Sequence, residues 1–335
     1  MKQTANASEA ATKLLFIRTD RLGETLLNLP AVAALKTAFP QSSVTFLAHP
    51  DLVTLLSAAP GVDAVMECPR TPPRPWWRQA IRLAKQLRHG RFQIAVVSNP
   101  KKELHLAVFL AGIPVRIGYA RKWAWTLTHR VTDNKALGEH HEVEYNLNLL
   151  KALGISASST PSYQLPVSGE ARQEISQFLS RLSVGETDRL VAIHPWTSNP
   201  KKQWPVERFR ALITRLAQLT GVKPVVIGGQ EERAREAALM RGRSHQALSL
   251  VGRLSLTELA ALLQKVRVLV SNDSGPMHLA AAVGTPVVAL FGTDDPATGP
   301  PRWGPWGSGH TVIWKPTMDA IELEEVWQAV QRYLS

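Results

Sequence analysis

The chain has 335 residues, enough for about two domains, and 44% hydrophobic against 20% charged residues excludes wholesale disorder. Its single cysteine, Cys68, excludes a disulfide framework and any multi-cysteine metal site, and its net charge of +12 suits an anionic partner. The polar start MKQTANASEAATK lacks the apolar core of a signal peptide, and no stretch approaches the roughly 20 apolar residues of a membrane span, so a soluble, cytosolic protein is expected.

In chain order, short apolar runs read as strands at Leu14–Ile17, Val44–Leu47, Ala64–Met66 and Ile94–Val97. Amphipathic periodicity predicts helices over Glu24–Ala38, Leu52–Ala58, Trp76–His89, Lys102–Leu110 and Glu142–Leu153. The second half repeats the alternation. Its strands are expected at Leu190–Ile193, Pro224–Ile227, Ala247–Leu250, Val266–Val270 and Val287–Leu290, and its helices at Val206–Leu219, Glu231–Met240, Leu256–Lys265, Met277–Val283 and Leu323–Leu334. Strand then helix, repeated, implies parallel sheets covered on both faces. The Ser- and Pro-rich stretch Ser156–Gly169 breaks the pattern and reads as an interdomain connection. The expected architecture is therefore α/β, with two Rossmann-like domains facing a central cleft.

The charge is concentrated. Residues 66–130 carry 13 basic and 2 acidic side chains, which leaves the rest of the chain almost neutral. Four of the ten tryptophans, Trp76, Trp77, Trp123 and Trp125, lie in the same block. Within it the helix 76–89 lines up Arg78, Arg82, Lys85 and His89 in one stripe, suited to phosphates or sugar carboxylates. Nucleic acid, a phosphorylated glycolipid or an anionic membrane face would each match such a block, and a solvated face with no partner would also produce it.

In sheets of this kind ligands meet the loops that follow strands. No G-x-G-x-x-G follows a strand and no P-loop motif occurs, which argues against a nicotinamide dehydrogenase and a P-loop nucleotidase. The first loop, Arg18-Thr19-Asp20-Arg21-Leu22-Gly23-Glu24, offers a tight turn at Gly23 and a carboxylate at the next helix start. The loop from His194 to Pro205 holds Thr197, Ser198, Lys201 and Lys202, two hydroxyls and two cations able to clamp a diphosphate. Gly228, Gly229 and Glu231 end another strand, where a carboxylate suits ribose hydroxyls. Ser271 to His278 places Asp273 at a strand end, Ser274 as helix N-cap and Pro276 in the first turn, with His278 one turn in. Asp294-Asp295 reads as a turn rather than a Mg²⁺ site. A well-capped helix with a satisfied histidine, or a plain charged loop, would explain several of these signals taken singly.

Taken together, the segments RTDRLGETLLNLPAVAALKTAFP, KKQWPVERF and SNDSGPMHLAAAVGTPVVALFGTDDP resemble the family 9 glycosyltransferases, the lipopolysaccharide heptosyltransferases and their relatives. The resemblance implies the GT-B fold, with an N-terminal acceptor-binding domain over 1–165 and a nucleotide-sugar domain over 170–320. The C-terminal helix, 321–335, would pack back on the N-terminal domain. It implies inverting, metal-independent heptose transfer from ADP-heptose, with no cofactor, to an anionic lipopolysaccharide-core acceptor. Glu24 falls where the family carries its catalytic base, usually Asp. Lys202, Asp273, Gly275 and His278 fall on the family's donor-phosphate and donor-sugar positions. Thr197, Ser198, Gly228, Gly229, Glu231 and Ser274 complete the expected donor set.

Asp20, Arg21, Arg78, Arg82, Lys85, Arg121 and Lys122 form the expected acceptor set, and Asp20 is a second candidate base. The partners implied are the donor, the glycolipid and, transiently, the cytoplasmic face of the inner membrane, with no nucleic acid. Two readings compete: a sugar-nucleotide 2-epimerase on the same fold, and a nucleic-acid-binding protein using the basic block. Replacing Asp by Glu lengthens the base by one C–C bond, about 1.5 Å, so either the acceptor hydroxyl sits differently or the donor or acceptor differs from that of the well-known members.

Overall fold

The computed structural model describes residues 12–69, 75–156, 163–240 and 247–334. Six parallel strands form the first sheet: β1 (Lys13–Ile17), β2 (Ser43–Ala48), β3 (Ala64–Glu67), β4 (Ile94–Val97), β5 (Val115–Tyr119) and β6 (His129–Val131). Six more form the second: β7 (Arg189–His194), β8 (Val222–Val226), β9 (Leu248–Ser249), β10 (Val268–Asn272), β11 (Val287–Gly292) and β12 (Thr311–Lys315). The orders are β3-β2-β1-β4-β5-β6 and β12-β11-β10-β7-β8-β9. Read from their own first strands, both follow the 3-2-1-4-5-6 order of a doubly wound Rossmann sheet. Each fold has its switch point between its first and fourth strands, β1 with β4 and β7 with β10.

The central strands are apolar runs because helices cover both faces. Leu14, Leu15, Phe16 and Ile17 of β1 are all fully buried, as are Val191, Ala192 and Ile193 of β7. Three strands escape the sequence reading for a common reason. β5 carries Arg116 and Gly118, β6 spans only three residues, and β12 is an edge strand that exposes Val312 and Trp314. None presents the buried run that marks the others. The helix Gly169–Arg181 is also additional; Ser168 caps it by accepting the Ala171 N–H at 3.1 Å.

The helix expected over Glu24–Ala38 is two, Leu22–Leu26 and Leu29–Ala38. Pro30 causes the break, since it has no N–H and its ring excludes the carbonyl four residues back. The expected helix Glu142–Leu153 likewise gives way after Asn148 to a 3-10 turn, Leu149–Leu153.

The chain divides into two compact units. The first draws its described residues from Met1–Arg21, Asn28–Asp133 and Val143–Pro161, the second from Leu22–Leu27, Asn134–Glu142 and Ser162–Ser335. A boundary at 165 therefore misses two excursions. The segment Asn134–Glu142 is held in the second unit by buried Glu142, which pairs with Lys135 and accepts from Arg302 at 3.1 Å. His141 adds a hydrogen-bonding contact to the Gly304 carbonyl at 3.0 Å. The C-terminal helix, Leu323–Gln331, places Val326, Ala329 and Val330 in the second unit's own core with Trp204, Phe209 and Leu212. Among the described residues, no helix is long and apolar enough to cross a membrane.

Candidate active site

At the switch point of the second sheet, β7 ends in His194 and β10 ends in Asn272. Asn272 is fully buried and spends both ends of its amide on the loop beyond β7. Its Oδ1 accepts the Trp204 N–H at 3.0 Å, and its Nδ2 donates to the Pro195 carbonyl at 3.0 Å. Trp204 is buried too; its Nε1 donates to the Ile321 carbonyl at 2.9 Å and its ring stands edge-on to Phe209. Asn199 accepts the Lys201 N–H at 3.1 Å and bends the chain into the 3-10 turn Pro200–Lys202. The outcome is a fixed Lys202 whose ammonium pairs with the Asp273 carboxylate just beyond β10. Burial pushes the Asp273 carboxyl up from its ordinary value, while Lys202 pulls it back down. Lys201, one residue away, is exposed.

The helix Gly275–Ala282 starts directly after this pair. His278, in its first turn, is 5% exposed, and its Nδ1 has no hydrogen-bond partner among the described residues. Burial, then the charges of His141 and Lys202, push its pKa down to about 3, so it is neutral at physiological pH. Its ring lies against Gly23: a Cβ there would stand 2.6 Å from His278 Cδ2. Gly23 is thus required for close approach rather than for the tight turn expected of it. A Cβ on Gly275 would in turn meet Leu22 at 3.3 Å. The helix Leu22–Leu26, with Glu24 in its first turn, is therefore seated on the helix that carries His278.

The depressed value at His278 makes stability depend on pH. Above about pH 6.5 the imidazole is neutral in the folded and unfolded chain alike. Below it the unfolded chain takes up a proton that the folded chain refuses, which costs about 1.4 kcal/mol per pH unit until the folded value is reached. Urea unfolding at pH 7 and pH 5 should show a loss from this residue of about 2 kcal/mol, and His278→Gln should lack that part. An equal loss in both proteins would contradict the assignment.

Two residues of this site were not singled out from sequence. His194, 4% exposed, places Nδ1 3.0 Å from Ser274 Oγ and faces Glu232 Oε2 with Nε2 at 3.6 Å. Glu232 Oε2 also accepts the Gly229 N–H at 2.7 Å. Burial alone would raise the Glu232 carboxyl; His194, the Gly229 N–H and Arg235 bring it below its ordinary value. The neighbouring Glu231, preferred from sequence, is exposed. A Cβ on Gly228 would stand 2.7 Å from both Glu232 and Trp196, so that glycine makes room for Glu232. Spacing held the clue, since Gly229 and Glu232 stand as a capping pair three apart. Thr197 is buried, its Oγ1 accepting the Asn199 N–H at 3.4 Å, and Ser198 is exposed beside it. Ser274 occupies the N-cap position but makes no capping bond with its side chain. Asp295 accepts the Ala297 N–H at 2.9 Å and forms a turn. Among the described residues, no three His, Cys, Asp or Glu side chains are grouped to hold a metal ion.

In the first unit, Arg78, Arg82 and Lys85 lie exposed along the helix Trp76–Gly90, as their spacing requires. Lys122 and Arg21 are exposed as well. Asp20 and Arg121 of the expected acceptor set have protein partners. Asp20 accepts from the buried Arg18 at 2.6 Å, and Arg121 pairs with Asp133. Arg18 also reaches Ser98 at 3.3 Å, tying the end of β1 to the end of β4. Arg70 and Arg74 of the basic block lie outside the described residues.

Two parallel six-stranded Rossmann-like units, with a cation beside a helix start at the second switch point, have the architecture of the GT-B class of glycosyltransferase. The structure superposes on a glycosyltransferase family 9 protein from Veillonella parvula with a TM-score of 0.87, at 22% identity over 98% of this chain and 99% of that one. It superposes on the Escherichia coli ADP-heptose lipopolysaccharide heptosyltransferase II with a TM-score of 0.82, at 21% identity over 96% and 98% of the two chains. In sequence it is 26% identical to lipopolysaccharide heptosyltransferase 3 of Escherichia coli K12 over 329 residues, 93% of this chain and 91% of that protein. The family profile of glycosyltransferase family 9 (heptosyltransferase) matches residues 80–329. The chain belongs to glycosyltransferase family 9. That membership decides for a glycosyltransferase over the epimerase and nucleic-acid readings.

Proposed function

We propose that the protein transfers a heptose from ADP-heptose to an anionic lipopolysaccharide-core acceptor, with inversion at the anomeric carbon and without a metal. The observation that carries this reading is the convergence of Lys202, Asp273, His278 and the helix bearing Glu24 at the β7–β10 switch point. Its relatives, lipopolysaccharide heptosyltransferase 3 and the ADP-heptose lipopolysaccharide heptosyltransferase II, supply the sugar and the acceptor class. Glu24 accepts the proton of the acceptor hydroxyl, whose oxygen bonds to the anomeric carbon as the bond from that carbon to the diphosphate breaks. Charge then grows on the departing ADP. Lys202 and the positive end of the helix Gly275–Ala282 stabilise it, so no metal is required.

The test is incubation with ADP-heptose and a heptose-deficient core acceptor in the presence of EDTA. The expected products are ADP and a glycoside of inverted configuration. Epimerised donor, or activity only with added divalent ions, would refute the proposal.

The acceptor's phosphates or acidic sugars are assigned to Arg78, Arg82 and Lys85, together with Arg21 and Lys122. Each exposed cation contributes about 0.5 kcal/mol, so the triple Gln variant should raise the acceptor KM roughly tenfold. Donor KM should not move. An unchanged acceptor KM would remove the stripe from the site.

Transient contact with the cytoplasmic face of the inner membrane belongs to the same proposal. Rings of Trp76, Trp123, Trp125 and Phe109 touch in a chain at centroid distances of 4.9, 5.6 and 5.4 Å. Trp125 is 57% exposed. Indole rings among cations suit the boundary between water and anionic lipid. Nucleic acid fits less well, because bases stack on open ring faces. Here Lys102 lies over Trp76 at 4.6 Å and Arg116 over Phe109 at 5.5 Å.

A further inference from the structure

We infer that Arg302 binds an oxyanion of the acceptor, a carboxylate or a phosphate, close to the reacting hydroxyl. This rests on the transfer reading above. Arg302 lies in the short helix Pro300–Trp303, beyond β11. Its guanidinium is held by three contacts within the second unit. Nε donates to Glu142 at 3.1 Å, and Nη1 donates to the carbonyls of Lys135 at 3.2 Å and Ala297 at 3.3 Å. The guanidinium carbon also lies 4.7 Å from the centroid of the Trp303 ring. Nη2, by contrast, makes no hydrogen bond among the described residues. A guanidinium fixed on one edge and unmet on another is suited to an oxyanion, which its N–H groups match in plane.

The surroundings are built to hold this side chain still. Glu142 is buried and already pairs with Lys135, so its charge is met without Arg302. Trp303 donates from Nε1 to the Ala297 carbonyl at 3.1 Å, and Asp295 accepts the Ala297 N–H at 2.9 Å. Gly138, with φ 66°, lets the Asn134–Glu142 segment lie flush on the same turn: a Cβ there would stand 2.5 Å from the Ala297 nitrogen. The Arg302 side chain is 17% exposed, enough to meet a ligand and little enough that salt screens the contact only in part.

Strand order says which substrate it meets. β8, β7, β10 and β11 are successive parallel neighbours, so the loops that follow them stand side by side at one end of the sheet. Gly228 and Gly229 follow β8, Lys202 follows β7, Asp273 and His278 follow β10, and Arg302 follows β11. With the ribose at the β8 loop and the diphosphate at Lys202, the donor's sugar points towards β11. The helix Leu22–Leu26, which carries Glu24, is seated on the helix that follows β10, so the acceptor hydroxyl is met on that side as well. A heptose is a neutral polyol. The anion that a guanidinium takes there belongs to the acceptor. His141, the residue before Glu142, ties the two places together, since its charge is felt at His278.

The test is steady-state kinetics on the full chain with three acceptors: the heptose-deficient core, the same core with its carboxylates methylated, and the same core with its phosphates removed. Arg302→Gln should raise the KM of the unmodified acceptor at least tenfold, the worth of a charged hydrogen bond, while ADP affinity by calorimetry and donor KM do not move. Arg302→Lys keeps a cation for Glu142 and loses the planar fork; it should melt near the wild type and raise the same KM several-fold. Removing the anion that Arg302 meets should raise the wild-type KM by a similar factor, and either substitution should then cost nothing further. The modification that abolishes the effect of the variants identifies the anion as carboxylate or phosphate. A side chain that only pins Asn134–Glu142 in place would weaken all three acceptors alike, and that result would overturn the inference. So would an unchanged acceptor KM in Arg302→Gln, or a loss of ADP affinity as large as the rise in acceptor KM. Absence of heptose transfer by the wild type would instead overturn the reading on which the inference stands.

Discussion

Glu24→Gln should lower kcat by about 10²- to 10⁴-fold, the usual contribution of a positioned general base, while ADP affinity stays unchanged. The amide keeps the size of the side chain and removes only its ability to take a proton. Glu24 sits in the first turn of Leu22–Leu26, and that helix cannot slide, because Gly23 lies directly under the His278 ring. For the same reason Glu24→Asp should not behave as a conservative change. The carboxylate would retreat by about 1.5 Å, and a misplacement of that order costs roughly 10²-fold. Steady-state rates of ADP release with saturating donor and acceptor would measure both effects. Full activity in Glu24→Gln would remove Glu24 from the chemistry, whereas full activity in Glu24→Asp would show that the acceptor tolerates either length.

Lys202→Ala should slow transfer by about 10²-fold or more and weaken ADP binding as well, since a charge-assisted contact to the leaving group disappears in both states. A second effect arises inside the protein. Lys202 is the group that draws the Asp273 carboxyl down against burial, so without it that carboxyl rises further and the neighbourhood of the helix start changes charge. The double variant Lys202→Ala with Asp273→Asn separates the two. It should regain any lost thermal stability and still transfer poorly, because the leaving group is still unmet. Lys201→Ala is the control: Lys201 is exposed and lies outside the Asp273 pair, so its loss should be small. Equal losses at Lys201 and Lys202 would show that the loop presents both cations to the donor.

How far the sequence by itself determined this protein follows from which interactions are local. Continuous apolar runs such as Leu14–Ile17 and Val191–Ile193 mark buried parallel strands wherever they occur, because only full coverage on both faces tolerates them. The α/β class, the two Rossmann-like halves, the cationic stripe on Trp76–Gly90 and the Ser271–His278 motif were legible on those terms. Strands β5, β6 and β12 were not, since a partly exposed strand carries polar residues and loses the run. The site itself was decided by tertiary structure. Lys202 and Asp273 lie 71 residues apart, and His194 and Ser274 lie 80 apart. Each pair meets only because β7 and β10 are neighbours in the sheet. The choice of Glu232 over Glu231 turns on which carboxylate fits the space beside Gly228, and spacing alone treats adjacent residues alike. The second unit likewise takes in Leu22–Leu27, where Gly23 admits the His278 ring, and claims the C-terminal helix for its own core. Local pattern chose the elements; pairing of strands distant in sequence brought the charges together.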